Sequence, residues 1–161
     1  MALDRLILAL QEVSTPGDLP GECDLGVVLK EFFERPSVQE LMVKMNQTQL
    51  YDMMENRYGY NIGTYADKTM KHKLKVGLPT PYYSYYETGK THESLEVVAT
   101  EEWVGVFPGR DAPEYATYAL DESAWGLNKG HWEELEPSIV KATQDGIRKF
   151  LERKMGELKN G

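Results

Sequence analysis

Strand signals in this chain concentrate in one short stretch, and that stretch constrains the fold most. Leu95, Val97 and Ala99 alternate with Glu96, Val98 and Thr100, and Val104 and Val106 alternate with Trp103, Gly105 and Phe107. This is period two on either side of the acidic turn Glu101-Glu102, and it predicts an antiparallel hairpin closed by Pro108-Gly109. The rest of the chain carries helical spacing. Helices at both ends around a central hairpin predict an α+β fold, with N-terminal helices and a long C-terminal helix packed on the sheet.

The helical segments differ in clarity. Leu3, Leu6, Ile7 and Leu10 form one stripe, continued by Val13, and the run from Ser14 to Gly21 breaks it. Leu25 to Phe33 is apolar without a decisive period. Pro36 restarts the chain, and Ser37-Val38-Gln39-Glu40 fits a capping box ahead of a helix running to about Arg57 and stopped by Gly59. A weaker helix is expected over Tyr65 to Val76, ended by Gly77. Its Lys68, Lys71, Lys73 and Lys75 do not share a face and read as solvated surface. Pro79 to Tyr86, rich in Pro and Tyr, reads as extended. Glu114 to Leu120 suits one or two helical turns. The last helix places Ile139, Val140, Thr143, Ile147, Phe150, Leu151 and Leu158 along one side. Pro137 is expected in its first turn, for a length of ~30 Å.

Charge and cysteine content narrow the function classes. With 18 Lys and Arg against 26 Asp and Glu, the 161-residue chain has a net charge of -8, a poor balance for gripping nucleic acid along its surface. Residues 96–137 hold ten acids and only Arg110 and Lys129 as bases, whereas residues 138–161 are net basic. Cys23 is the only cysteine. It forms no intrachain disulfide or Cys-based zinc site, and its acidic neighbours raise the thiol pKa. Residues 3–10 are too short to span a bilayer, and no small-residue cleavage site follows, so a soluble protein of a reducing cytoplasm is expected.

No catalytic constellation stands out. His72, His92 and His131 are not at ligand spacing, and no HExxH, nucleophile elbow or P-loop is present. Gly59-Tyr60-Asn61-Ile62-Gly63 lacks the Lys-Ser/Thr of a phosphate loop. The expectation is therefore no catalytic residue, no cofactor and no metal. The aromatic content points elsewhere: of ten tyrosines and three tryptophans, Tyr82, Tyr83, Tyr85 and Tyr86 cluster, and such residues suit either a sheet or an interface. Candidate assembly-interface residues are Tyr82, Tyr83, Tyr85, Tyr86, Trp125, Trp132, Arg148 and Arg153.

Residues from Gln49 onward carry an ordered set of short motifs: Gln49-Leu50-Tyr51, Gly63 and Tyr65, Lys71 and Lys73, Gly77-Leu78-Pro79, Thr88-Gly89 and Ser94-Leu95. Trp125-Gly126-Leu127 and Leu135-Glu136-Pro137 continue the order. The set resembles tail-component and neck (head–tail joining) proteins of tailed phages, in versions found in phages of gut Bacteroidetes. The sequence departs from that pattern at Asp52 to Tyr58, which precede Gly59, and at Lys90-Thr91-His92-Glu93 after Thr88-Gly89. The likeness covers roughly residues 49–158, leaving residues 1–48 as an N-terminal helical extension to a 49–161 domain, the whole expected to form a single compact domain.

The resemblance implies a non-enzymatic virion component: a ring-forming neck, head–tail connector or tail-completion protein such as a tail terminator. Its partners would be further copies of itself and neighbouring portal, neck or tail proteins. DNA would pass through the ring without sequence-specific binding, and no membrane would be involved. The chain would reside in the virion, and in the host cytoplasm during assembly. Two readings from other classes stand beside it: a soluble glycan- or peptide-binding module using Tyr82–Tyr86, and a small metal-dependent hydrolase built on His92 or His131.

Overall fold

The computed structural model describes residues 25–117 and 122–160. The apolar stripe of residues 3–13 and Cys23 lie outside the described residues. The elements in order are α1 (Leu25–Phe33), α2 (Pro36–Thr48), a π-helical turn (Gln49–Met53), α3 (Asp67–Val76), α4 (Lys90–Glu93), β1 (Leu95–Ala99), β2 (Val104–Pro108), α5 (Glu114–Thr117), a 3-10 turn (Glu122–Ala124) and α6 (Lys129–Asn160). The fold is α+β. β1 and β2 pair antiparallel in the register Leu95↔Pro108 to Ala99↔Val104, with the turn at Glu101-Glu102 that the period-two pattern predicts. Among the described residues no helix is long and apolar enough to cross a membrane.

The segment from Leu25 to Phe33, ambiguous by period, is a helix whose middle and C-terminal end find partners on α6. The Phe33 ring meets Trp132 edge-on at 6.2 Å. A Cβ on Gly146 would stand 2.5 Å from Val28 Cγ1, so only glycine admits the close approach there. Since Phe33 meets the start of α6 and Val28 meets its middle, the two helices run in opposite directions. Phe32 and Phe33 from α1 and Met42 and Met45 from α2 join Leu50, Ile62, Leu95, Val106, Trp125, Leu135 and Ile139 in one buried cluster. Residues 25–48 thus share the core of residues 49–161.

Several local expectations are corrected. α2 has no capping box: Pro36 takes the first helical position, Arg35 is the N-cap in extended conformation, and no side chain caps the end. Ser37 is already inside the first turn, past the position from which its hydroxyl reaches the free N–H groups. The helix also stops before Arg57. After Thr48 the backbone widens into the π turn and Met54 closes it in the left-handed region at φ 53°. α3 begins at Asp67 rather than Tyr65 and ends as expected, with Gly77 at φ 74°.

The largest correction concerns α6. It starts at Lys129, not at Pro137, and its 32 residues span ~48 Å. Asn128 makes this start possible, its Oδ1 accepting the His131 N–H at 3.0 Å, the bond that an N-cap supplies. Pro137 lies inside the helix on its exposed side, where the carbonyl one turn back has water as an alternative partner. Along the expected stripe Ile139, Thr143 and Phe150 are buried, whereas Leu151 is exposed. Leu158 has no described side-chain environment.

Candidate functional site

Two clusters of polar side chains sit inside the fold. The first forms where the π turn meets the start of α6. Asn46 Nδ2 and Gln49 Nε2 donate to the Gly126 carbonyl at 2.9 and 3.1 Å, and Gln49 Nε2 also reaches the Glu55 carbonyl at 3.3 Å. Gly126 turns its carbonyl inward at φ 100°, a conformation that glycine adopts without a Cβ penalty. Gln49 Oε1 accepts the Asn128 N–H at 2.8 Å and faces His131 Nδ1 at 3.2 Å. A carboxamide oxygen only accepts, so His131 Nδ1 carries the proton and Nε2 holds the lone pair in the neutral ring. Burial pushes the His131 pKa down, with Glu134 and Glu55 partly opposing it. Asn46 Oδ1 is buried without a partner.

The second cluster pins the segment 79–86 to α3 and α4. Ser84 is fully buried; its N–H donates to Tyr65 Oη at 3.1 Å and its carbonyl accepts from His92 Nε2 at 2.8 Å. Gln47 Nε2 holds the His92 carbonyl at 2.8 Å. The His92 ring lies edge-on to Tyr86 at 5.0 Å and to Tyr51 at 6.2 Å, and burial lowers its pKa. Lys73, expected on solvated surface, is instead 2% exposed. Its ammonium donates to the Tyr86 carbonyl, pairs with Glu87 at 3.0 Å and lies 4.6 Å from the Tyr65 ring centre. Its three N–H groups therefore all have electron-rich partners. Glu87, which also meets His72 at 3.1 Å, has its pKa lowered, first by the Lys73 hydrogen bond.

Most of the sequence-predicted interface residues pack around these clusters, half-buried except for the buried Trp125. Tyr83 meets Tyr65 edge-on at 4.8 Å, and Tyr85 lies 4.9 Å from Trp125. Tyr86 packs on Tyr51 at 4.8 Å. Trp125 is 6% exposed, and Trp132 packs on Phe33. Tyr82 is half-buried and bridges to Thr64. Arg148 and Arg153 lie on the exposed side of α6, Arg153 over the Phe150 ring at 5.4 Å. The structure thus brings together the tyrosines and Trp125, and leaves Arg148 and Arg153 on a separate surface. Neither His92 nor His131 belongs to a metal-ligating group: among the described residues no three His, Cys, Asp or Glu side chains are placed to hold an ion.

The aromatic residues that do face outward were not singled out by sequence. Tyr58 and Tyr60 are 61% and 71% exposed, and Trp103 is 49% exposed. A local signal for the first two exists: Asn56 and Gly59 are turn formers interleaved with the tyrosines, the composition of a loop tip. Comparisons of the chain with family models, with curated proteins and with solved structures return no match in any of the three.

Proposed function

We propose that this chain is a structural component of a tailed-phage virion, a ring-forming neck, connector or tail-completion protein that works by contact with copies of itself and neighbouring portal, neck or tail proteins. One observation carries the reading: the residues that create the resemblance occupy frame-holding positions. Gln49 ties the π turn to α6, Tyr65 and Lys73 anchor the 79–86 segment, and Gly77 and Gly89 take left-handed conformations at helix ends. A motif set that encodes a frame suits a family whose work is assembly.

Charge distribution supports the same reading. Glu96, Glu101, Glu102, Asp111, Glu133, Glu134 and Glu136 are all exposed, so the acidic stretch is a solvated surface that repels phosphate. Such a surface lets DNA pass a ring without the counterion release that makes it stick. The test is direct. Purified particles of the phage that encodes the chain are expected to contain it in a fixed copy number, with density for the α1–α6 pair in a ring at the head–tail junction or the top of the tail. Absence of the chain from purified particles overturns the reading.

A further inference from the structure

Among the residues whose side chains are described, Tyr58, Tyr60 and Trp103 are the exposed aromatics, and they sit on two tips, one exposing Arg57 and the other Glu101 and Glu102. The first tip is a small hairpin over residues 54–62. Glu55 and Asn61 bridge antiparallel, Asn56 N–H donates to the Tyr60 carbonyl at 2.8 Å, and Arg57 N–H donates to the Ser123 carbonyl at 2.8 Å. Asn56 Oδ1 accepts the N–H groups of Tyr58 and Tyr60 at 3.0 and 3.1 Å. The Arg57 guanidinium lies 5.0 Å from the Tyr58 ring centre and donates to its hydroxyl at 2.9 Å. The second tip is the β1–β2 turn. Thr100 Oγ1 accepts the N–H groups of Glu102 and Trp103 at 3.2 and 3.0 Å, Thr100 N–H donates to the Trp103 carbonyl at 2.8 Å, and the Trp103 ring is braced edge-on by Phe107 at 5.7 Å.

Each tip is ordered before any partner arrives, because one polar side chain satisfies two of its backbone N–H groups. Preordering lowers the entropy lost on association. Tyr, Trp and Arg are also the residue types that concentrate binding energy in interfaces. A guanidinium has five N–H donors in a fixed fork that matches carboxylates, whereas Glu101 and Glu102 are exposed carboxylates beside a broad indole face.

We propose that the Arg57–Tyr60 tip of one copy docks on the Glu101–Trp103 tip of the next. The proposal rests on the ring-forming reading and names the surface through which copies meet. Charge decides for this pairing over like-with-like contact: two acidic tips repel, while Arg57 faces two carboxylates. In a ring each copy uses its two tips on two different neighbours, head-to-tail, whereas reciprocal use of both tips between the same two copies would close a two-fold dimer.

The contact is trapped with cysteines, since Cys23 is the only native one. Two full-length variants in a Cys23→Ser background, one with Tyr58→Cys and the other with Glu102→Cys, carry different tags and are mixed under mild oxidation. The mixed disulfide dimer is expected to exceed either like pair several-fold. The excess should fall at high salt and on adding Arg57→Glu to the first variant, and recover when Glu101→Arg is added to the second. No excess of the mixed dimer, an excess of like pairs, or insensitivity to Arg57→Glu overturns the docking surface. Trapping in purified protein reads contact and particle composition reads location, so a chain found in a virion ring without the trapped pair removes only this surface. A trapped pair from a chain absent from particles removes only the virion role.

Discussion

Two tyrosine-rich segments of this protein have opposite fates. The 79–86 segment holds Tyr82, Tyr83, Tyr85 and Tyr86, and turns the last three rings onto Tyr65, Trp125, Tyr51 and His92. The 54–62 hairpin holds Tyr58 and Tyr60 and turns them to solvent. Composition does not separate the two. The difference lies in where each backbone finds its hydrogen bonds. The 79–86 segment depends on distant groups, Tyr65 Oη, His92 Nε2 and the Lys73 ammonium, so it is drawn against them and its rings are half-buried with it. The base of the hairpin is held to the body at Glu55, Asn56, Arg57 and Ile62, through Gln49, Ser123 and Tyr83. Its tip satisfies the Tyr58 and Tyr60 N–H groups locally through Asn56, so the rings at the tip are left outside.

The sharpest way to break this comparison is at Trp125. As an inward-facing partner of Tyr85, its replacement by Ala should cost ~3–5 kcal/mol in denaturant unfolding. An unchanged midpoint would mean that the 79–86 segment does not pack as described. Next comes Lys73→Met, which keeps the bulk but leaves the Tyr86 carbonyl and Glu87 without their ammonium. A loss of about 1.5–3 kcal/mol is expected, the range for hydrogen bonds to a charged group, together with faster amide exchange at Ser84 and Tyr86. Wild-type exchange rates there would sever the link between Lys73 and the segment.

Acid should loosen the fold in two stages. His92 and His131 have lowered pKa values in the folded state, chiefly through burial, so the unfolded chain takes up protons first as pH falls below 6.5 and stability declines. Glu87 has a folded pKa below its ordinary 4.5, so its pairing with Lys73 contributes fully above that pH and is lost as pH falls through the lower folded value. Unfolding midpoints measured from pH 8 to 3 should show both declines, and His92→Gln should reduce the upper one. A profile flat to pH 5 would contradict the burial of the two histidines. The smallest stability effect is expected on the other side of the comparison: Tyr58→Ala and Tyr60→Ala should shift stability by less than ~0.5 kcal/mol. A larger loss would show that the hairpin rings are not solvent-facing.

The residues that sequence reads correctly are those whose partners are close along the chain. The β1–β2 register follows from alternation around Glu101-Glu102, and the end of α3 from a glycine at the position that needs positive φ. The start of α6 is misplaced because Pro137 is a strong local signal, whereas Asn128 works as a cap only when Leu135 and Trp132 have core positions to fill. The four lysines of α3 look equivalent in sequence. Only Lys73 is buried, because Tyr65, Tyr86 and Glu87 converge on its ammonium.

Residues 79–86, expected to be extended, instead bend at Pro81 and carry Tyr85 in the left-handed region at φ 53°. By itself, then, the sequence determined the α+β class, the hairpin and its turn, and a long apolar-striped final helix. These rest on periods of two and 3.6 residues and on glycine and proline, all of which act within a few residues. The tertiary structure decided which aromatics face inward, which lysine carries a buried charge, and which side chains of residues 25–48 enter the core. Those outcomes depend on groups far apart in the chain meeting in three dimensions, and on backbone N–H and C=O groups that must find partners wherever the fold places them.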